Sequence, residues 1–255
     1  MHVLTINGSH KKTTGLTGRM LAALERGVCS AGGSAESIDL SRLDIGACRA
    51  CGVCQTRLDG RCAVASPDDA DRVFARMRSA DVVVYGTPVY LIAPTSRLKA
   101  LLERFHALGQ ADALVVSQAG LLFHAIDRRV CARPFVAVVS CDNVEPATTR
   151  ITEDYFRTFS RFIGAPMLGL LVRNAGRRIL DGQARVTEAD VMTSCEKAGR
   201  ELVRLGRVTR ATERALRRSS LPISNWVFQL LKRTRRGRAA VCARGSSHPH
   251  AHTQP

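Results

Sequence analysis

The run Asp81-Val82-Val83-Val84-Tyr85-Gly86 restricts the folds open to this chain more than any other stretch. It is apolar on both of its alternating faces, so both must be covered, which is the situation of a central strand in a parallel sheet. Four further strands are read at His2–Ile6, Ser34–Leu40 (Ile38 and Leu40 sharing a face), Phe135–Ser140 and Met167–Val172. Between and after them lie helix-periodic stretches at Leu16–Ser30, Ser96–Leu108, Glu145–Ile163 and Thr187–Leu205. Another helix is opened by Pro67-Asp68-Asp69 and runs to Ser79, with its acids at the favourable N-terminal end. Thr187-Glu188-Ala189-Asp190 has the form of a helix-start cap. The alternation predicts an α/β fold built on a doubly wound, parallel, five-stranded sheet. Leu114–Arg133 is apolar without clear turn chemistry and reads either as a strand and helix or as a subunit-contact insertion.

The first strand runs into Asn7-Gly8-Ser9, a polar loop His10-Lys11-Lys12-Thr13-Thr14-Gly15, and then the first helix. A strand, a hydroxyl-rich turn and a helix start together make a phosphate site, because leading helix amides and Ser/Thr hydroxyls donate to phosphate oxygens. The loop has neither the Walker pattern nor GxGxxG, so neither an NTPase nor a dinucleotide site is indicated. A phosphate held by hydroxyls and amides is what a flavodoxin-like fold offers to FMN; an ordinary βα turn is the competing reading. In doubly wound sheets ligands bind at the carboxyl ends of the strands, near the switch point. The first loop, Thr87–Tyr90 and Ser140–Glu145 all fall at that edge.

Cys48-Arg49-Ala50-Cys51-Gly52-Val53-Cys54, with Cys62 following, gathers several thiols in one short loop. Structural zinc is usually held by two CxxC pairs from distant knuckles, whereas a CxxCxxC triplet is the spacing that cradles an iron–sulfur cluster. Soft thiolates suit both metals, so the ligand type alone leaves cluster, zinc and free reduced thiols open. The chain has nine cysteines, an odd number that argues against a full set of internal disulfides. Its first residues are too short and uncharged for a signal peptide, and no apolar run approaches a membrane span. A cytoplasmic location is the expectation.

The 255-residue chain carries a net charge of +16, unevenly spread. Roughly two thirds of the excess lies beyond Leu205, where arginines and Lys232 face one acid, Glu213. A short apolar patch, Trp226–Leu231, sits inside this basic tail, and His248–Pro255 reads as disordered. The expected organisation is therefore a domain over 1–205, with the cysteine loop at 44–65, and a basic helical extension over 206–255.

Several separated stretches resemble one family. Gly8-Ser9 with Gly15-Leu16-Thr17 is similar to the phosphate loop of NAD(P)H-dependent FMN reductase-like flavoproteins, with His10 where proline is common and one residue more. The cysteine motif followed by Asp68-Asp69 resembles that of the iron–sulfur flavoproteins. Ala80-Asp81 through Thr87-Pro88-Val89-Tyr90 resembles their flavin-ring loop, and Leu98–Arg104 the helix after it. Ser140–Glu145 departs from the glycine-rich third flavin loop of many relatives. The resemblance covers roughly 1–205 and implies a flavodoxin-like fold, FMN as cofactor and a homodimer or homotetramer. It implies phosphate contacts from Ser9, Lys11, Gly15, Leu16 and Thr17, ring contacts from Pro88, Val89 and Tyr90, and ligation of a [4Fe-4S] cluster by Cys48, Cys51, Cys54 and Cys62.

The leading expectation is an FMN-dependent oxidoreductase that passes electrons between flavin and cluster, with NAD(P)H as a candidate donor and a protein or small-molecule oxidant as acceptor. The alternative is a cluster-free NAD(P)H-dependent FMN or quinone reductase. A third reading, from a different class, is a non-enzymatic binding protein whose basic tail docks weakly on anionic surfaces. No Ser/His/Asp or Cys/His hydrolytic set is evident in the sequence.

Overall fold

The computed structural model describes residues 1–57, 62, 68–221, 223, 225–237 and 239. The expected sheet is present. Its strands are β1 (His2–Asn7), β2 (Ser34–Asp39), β3 (Val82–Pro88), β6 (Phe135–Ser140) and β7 (Met167–Arg173). They pair in the order β2-β1-β3-β6-β7, all parallel. The order reverses between β1 and β3, which opens a crevice at their carboxyl ends.

Both faces of the sheet are covered, as the apolar run of β3 requires. Helix α1 (Leu16–Ser30) lies on one face. A short turn, α2 (Val53–Arg57), sits in the cysteine loop. On the other face lie α3 (Ala70–Ser79) and α4 (Ser96–Glu103). A two-stranded antiparallel ribbon follows, β4 (Gly109–Val116) and β5 (Leu122–Ile126), then the one-turn α5 (Arg128–Cys131). Helix α6 (Arg150–Ile163) completes the second face. After β7 come α7 (Gly176–Leu180), α8 (Glu188–Leu205), α9 (Arg210–Leu216) and α10 (Asn225–Leu231). Alternate β3 residues divide between the two cores: Val83 and Tyr85 meet α3, α4 and α6, while Val82 and Val84 meet α1 and α8. Helix α8 begins with the anticipated cap, Thr187 Oγ1 accepting from Asp190 N (3.1 Å) and Asp190 Oδ2 from Thr187 N (2.9 Å).

Three expectations need correction. The helix expected over 96–108 stops at Glu103 and tightens into a 3-10 segment, Arg104–Leu108, as the Arg104 side chain turns inward to Asp68. The helix expected from Glu145 starts as a 3-10 turn at Pro146 and becomes α-helical only at Arg150. The stretch 114–133 does hold strand and a short helix, α5, but its strand content is paired within the stretch rather than being a single strand. It is most of a hairpin whose turn is stitched by Ser117 Oγ accepting from Ala119 N (3.2 Å) and Leu121 N (3.0 Å), with Gly120 at φ 74°. That is turn chemistry of the Ser/Thr type closed by a left-handed glycine. Two expectations fall outside the described residues: the helix start at Pro67 and the 248–255 segment.

Contacts cross the expected boundary at 205. Val208 N donates to Leu168 O (2.8 Å), and Leu170 N donates to Glu213 Oε1 (2.7 Å), so β7 is capped along its outer side by the start of the extension. Val208 fills the space over Gly169, where a Cβ would come within 2.7 Å of its methyl. Arg173, 1% exposed, closes α9 from below by donating to Leu216 O (2.6 Å) and Arg218 O (2.9 Å). Burial pulls its guanidinium down to about 10, still protonated at neutral pH and suited to the negative end of a helix. Among the described residues no helix is long and apolar enough to cross a membrane.

Candidate functional site

Asn7, at the end of β1 and 4% exposed, shapes the first loop. Its Oδ1 accepts from Ser9 N (3.0 Å) and its Nδ2 donates to Lys12 O (3.0 Å). Ser9, 2% exposed, accepts from Lys11 N (3.2 Å). Lys12 adopts φ 53°, and its carbonyl folds down onto α1. A Cβ at Gly18 would lie 2.3 Å from Lys12 O, so the loop sits this low only over glycine. Gly15 begins α1 in extended conformation, with no side-chain cap and no acid in the first turn. The leading amides are thus left to an outside acceptor at the positive end of the helix. Thr17, 2% exposed, places its hydroxyl 2.7 Å from Ser140 Oγ at the end of β6. Ser9, Gly15 and Thr17 therefore come together. Lys11 stands exposed on the rim, and Leu16 packs its side chain into the core, which leaves its amide as the group it can offer.

The loop after β3 is stitched to its neighbours. Val89 N donates to Ser140 O (2.8 Å), Gly8 N to Gly86 O (2.8 Å) and Thr95 Oγ1 to Gly8 O (2.8 Å). Pro88 and Val89 are half-buried, while Tyr90 is 43% exposed and stacks on His10 with ring centres 6.0 Å apart. Arg97 Nε donates to His10 Nδ1 (3.2 Å), which fixes the imidazole against Tyr90. Burial and then the Asp142 carboxylate push the Tyr90 phenol above its ordinary value, so it remains a donor at neutral pH. The third loop is braced from β7: Cys141 N donates to Arg173 O (2.9 Å), and Asn174 Nδ2 to Glu145 O (3.1 Å). Asn7, Thr95, Arg97 and Ser140 were not among the expected site residues. The one sequence signal for Asn7 and Ser140 is a polar residue ending a buried strand.

The cysteine loop is anchored at its base. Arg104, 1% exposed, pairs with Asp68 and donates to Gly46 O (3.1 Å); Asp68 also accepts from Gly46 N (3.1 Å) and Ala70 N (3.0 Å). Asp69 Oδ2 accepts from Asp44 N (2.9 Å). Beyond this clamp Cys51 is exposed, and Cys48, Cys54 and Cys62 are half-buried. Cys54 Sγ donates to His106 O (3.8 Å), past the far end of α4. An eight-residue helix spans about 12 Å, so roughly that much separates this contact from Thr95 at the flavin-loop edge. Burial, then the neighbouring Cys62 and more weakly Cys48 and Cys51, raise the Cys54 thiol above its ordinary value. Among the described residues, however, no three of His, Cys, Asp and Glu are disposed to hold a metal. Residues 58–61 and 63–67, within or just after the motif, lie outside the described residues.

Comparisons with known proteins agree with this geometry. Residues 1–165 match the family described as NADPH-dependent FMN reductase. An iron–sulfur flavoprotein of Archaeoglobus fulgidus is 36% identical over 104 residues, 41% of this chain and 48% of its own length. One from Methanosarcina thermophila is 28% identical over 120 residues, 47% of this chain and 60% of its own length. The chain thus spans about half the length of the curated relatives it matches. Among solved structures, an FMN-dependent NADH-azoreductase from Bacillus anthracis in complex with FMN superimposes with TM-score 0.56 at 12% identity, covering 79% of this chain and 97% of that one. An NAD(P)H:quinone oxidoreductase from Methanothermobacter marburgensis gives 0.55 at 18% identity, covering 79% and 98%. At such identities the likeness is one of fold, and the fold is flavodoxin-like. With the family match covering more than half of its residues, the chain belongs to the NADPH-dependent FMN reductase family.

Proposed function

We propose that this chain is an FMN-dependent oxidoreductase acting as an NAD(P)H-dependent flavin or quinone reductase. The observation that carries the reading is the uncapped, acid-free start of α1, ringed by buried Ser9 and Thr17 and adjoining the Pro88–Tyr90 loop at the sheet's switch point. Ser9, Thr17 and the amides of Gly15 and Leu16 hold the phosphate, with Lys11 adding charge from the rim. Pro88, Val89 and Tyr90 line one side of the ring, and Tyr90 supplies a protonated hydroxyl near it. FMN, when bound, accepts a hydride and releases electrons in pairs or singly. The protein orients the ring and keeps the dinucleotide donor and the acceptor at one open edge. Flavin content after gel filtration, followed by NAD(P)H oxidation with a quinone acceptor, tests the reading; protein that loses all flavin and shows no such oxidation rules it out.

A second reading, an iron–sulfur flavoprotein, rests on the cysteine spacing, the influence of Cys62, Cys48 and Cys51 on the Cys54 thiol, and the likeness to iron–sulfur flavoproteins. The described thiols do not fit a cluster as they stand. Iron and sulfide analysis of anaerobically purified protein separates the two readings. We also propose a cytoplasmic homodimer or homotetramer. It is supported by exposed Leu114, Val116 and Leu122 on the β4–β5 ribbon beside a 960 Å³ apolar groove, and is tested by light scattering.

A further inference from the structure

Leu91 is 98% exposed at the tip of a tight turn. Tyr90 and Ala93 exchange two hydrogen bonds of 3.1 Å, and both central residues take left-handed backbone, Leu91 at φ 46° and Ile92 at φ 70°. Glycine or asparagine suits such positions, and a β-branched residue there is strained. The chain thus holds two large aliphatic side chains at a solvent-facing tip against its own backbone preference. Thr152 Oγ1 fixes the turn by donating to Ile92 O (2.9 Å). The same short segment, from Glu145 to Thr152, receives a second apolar element. Lys232 Nζ donates to Glu145 Oε2 (2.5 Å) and brings α10 to it. On α10, Phe228 is 4% exposed, while Trp226 (71%) and Leu230 (60%), one turn apart, share the opposite, outward face. Ile151, 60% exposed, adjoins Thr152. Exposed cations stand nearby: Lys11 and Lys12 on the first loop, whose His10 stacks on Tyr90, Arg150 at the start of α6, and Arg235 and Arg236 just after α10.

We propose that this carboxyl edge of the sheet docks on an anionic lipid surface, with Leu91, Ile92, Trp226 and Leu230 entering the headgroup boundary and the surrounding cations meeting lipid phosphates. Aliphatic side chains gain free energy at that boundary but nothing from a nucleic-acid backbone, which is tracked by cations and aromatic stacking. A second copy related by a twofold axis would set the cationic rim against itself. The docking does not depend on flavin; only its consequence, a flavin presented to lipid-soluble acceptors, rests on the function proposed above.

The test uses the full chain, with and without FMN, and vesicles of phosphatidylcholine alone or mixed with phosphatidylglycerol. The chain has one tryptophan, so its emission reports α10 alone. The expected result is a blue shift and co-sedimentation with the phosphatidylglycerol vesicles only, abolished by high salt. Leu91→Asn relieves the turn while removing the leucine, so its expected loss of about tenfold in vesicle affinity is not a loss of fold. Trp226→Gln should act similarly, and Arg235→Gln or Arg236→Gln should each cost roughly fivefold. Any of three results overturns the proposal. One is an emission unmoved by anionic vesicles. Another is wild-type affinity in both Leu91→Asn and Trp226→Gln, which would leave bare charge attraction. The third is an emission that shifts with protein concentration in the absence of lipid, which would place a second copy on this face.

Discussion

The loops after β1 and β2 leave neighbouring strands of one sheet, yet they are built in opposite ways. The first is bonded along its length: Asn7, Ser9 and Thr17 are each at most 4% exposed, and its bends are held by hydrogen bonds among its own residues and with Gly86, Thr95 and Ser140. The second is held at its base by Arg104 and Asp68, and its sulfurs stand beyond the clamp, exposed or half-buried. A loop of the first kind is preorganised, so its ligand has little ordering cost to overcome. A loop of the second kind is fixed at its base, and a metal site carried by such a loop can be completed by the metal it binds.

The largest expected effect comes from breaking the clamp. Arg104→Ala leaves Asp68 buried without its partner, and breaking a buried ion pair from one side costs about 3–5 kcal/mol. Urea denaturation should show that loss together with a cysteine loop newly open to proteolysis between 44 and 57. A loss below about 1 kcal/mol would mean that the clamp is a surface-type pair and that the two loops are less different than they look.

Next in size is the first loop. Ser9→Ala with Thr17→Ala removes two hydroxyls from the proposed phosphate site, and hydrogen bonds to a charged group contribute about 1.5–3 kcal/mol each. FMN affinity measured by fluorescence quenching should fall about a hundredfold or more. Undiminished affinity would place the phosphate elsewhere.

Much of this contrast could be read from residue order, and the unreadable part has a common cause. The β3 run, the hydroxyl loop and the Thr187 cap are local patterns, and each appears where local physics puts it. Buried Arg104 and Arg173 are not local: an arginine in a sequence is by default an exposed charge, and only the fold supplies Asp68 or the end of α9 as its partner. The ribbon at 109–126 was missed for a different reason. Its register slips between Gln110 and Leu114, which erases the period-two alternation, and its turn signal is a single Ser117–Gly120 pair. In the cysteine loop spacing was legible, but the relative placement of the sulfurs is a tertiary property that spacing does not fix.

A smaller effect sharpens the carboxyl-edge side. Glu153, 6% exposed, is pushed up by burial, but hydrogen bonds from Arg217 (3.1 and 2.9 Å) and Thr149 (2.7 Å) outweigh that and hold its carboxyl below the ordinary value of 4.5. A depressed folded pKa contributes stability that is present above the unfolded value and disappears as pH falls through the folded one. Arg217→Ala should therefore cost about 1–2 kcal/mol at pH 7, a difference that narrows as pH falls below about 4.5. A difference that stays constant from pH 7 to pH 3 would show that Arg217 acts by packing rather than by charge.

The smallest effect is the most informative about the second loop. Cys51 is exposed, sits beyond the Arg104 clamp, and belongs to a loop whose contact with the body at His106 lies about a helix length from Thr95. Cys51→Ala should thus leave stability within about 0.5 kcal/mol of wild type, as surface substitutions do, and leave FMN affinity unchanged, because the proposed phosphate site is built by a different loop. Iron content then decides between the two functional readings. If anaerobically purified wild type carries iron and sulfide and the variant does not, the cysteine loop is a cluster site that its metal completes. If neither carries iron and both oxidise NAD(P)H equally, the thiols are bystanders to a flavin reductase and the contrast between the loops is one of ligand against no ligand. A variant that loses flavin along with, or instead of, iron would break the comparison outright, since it would couple two loops that the geometry keeps apart.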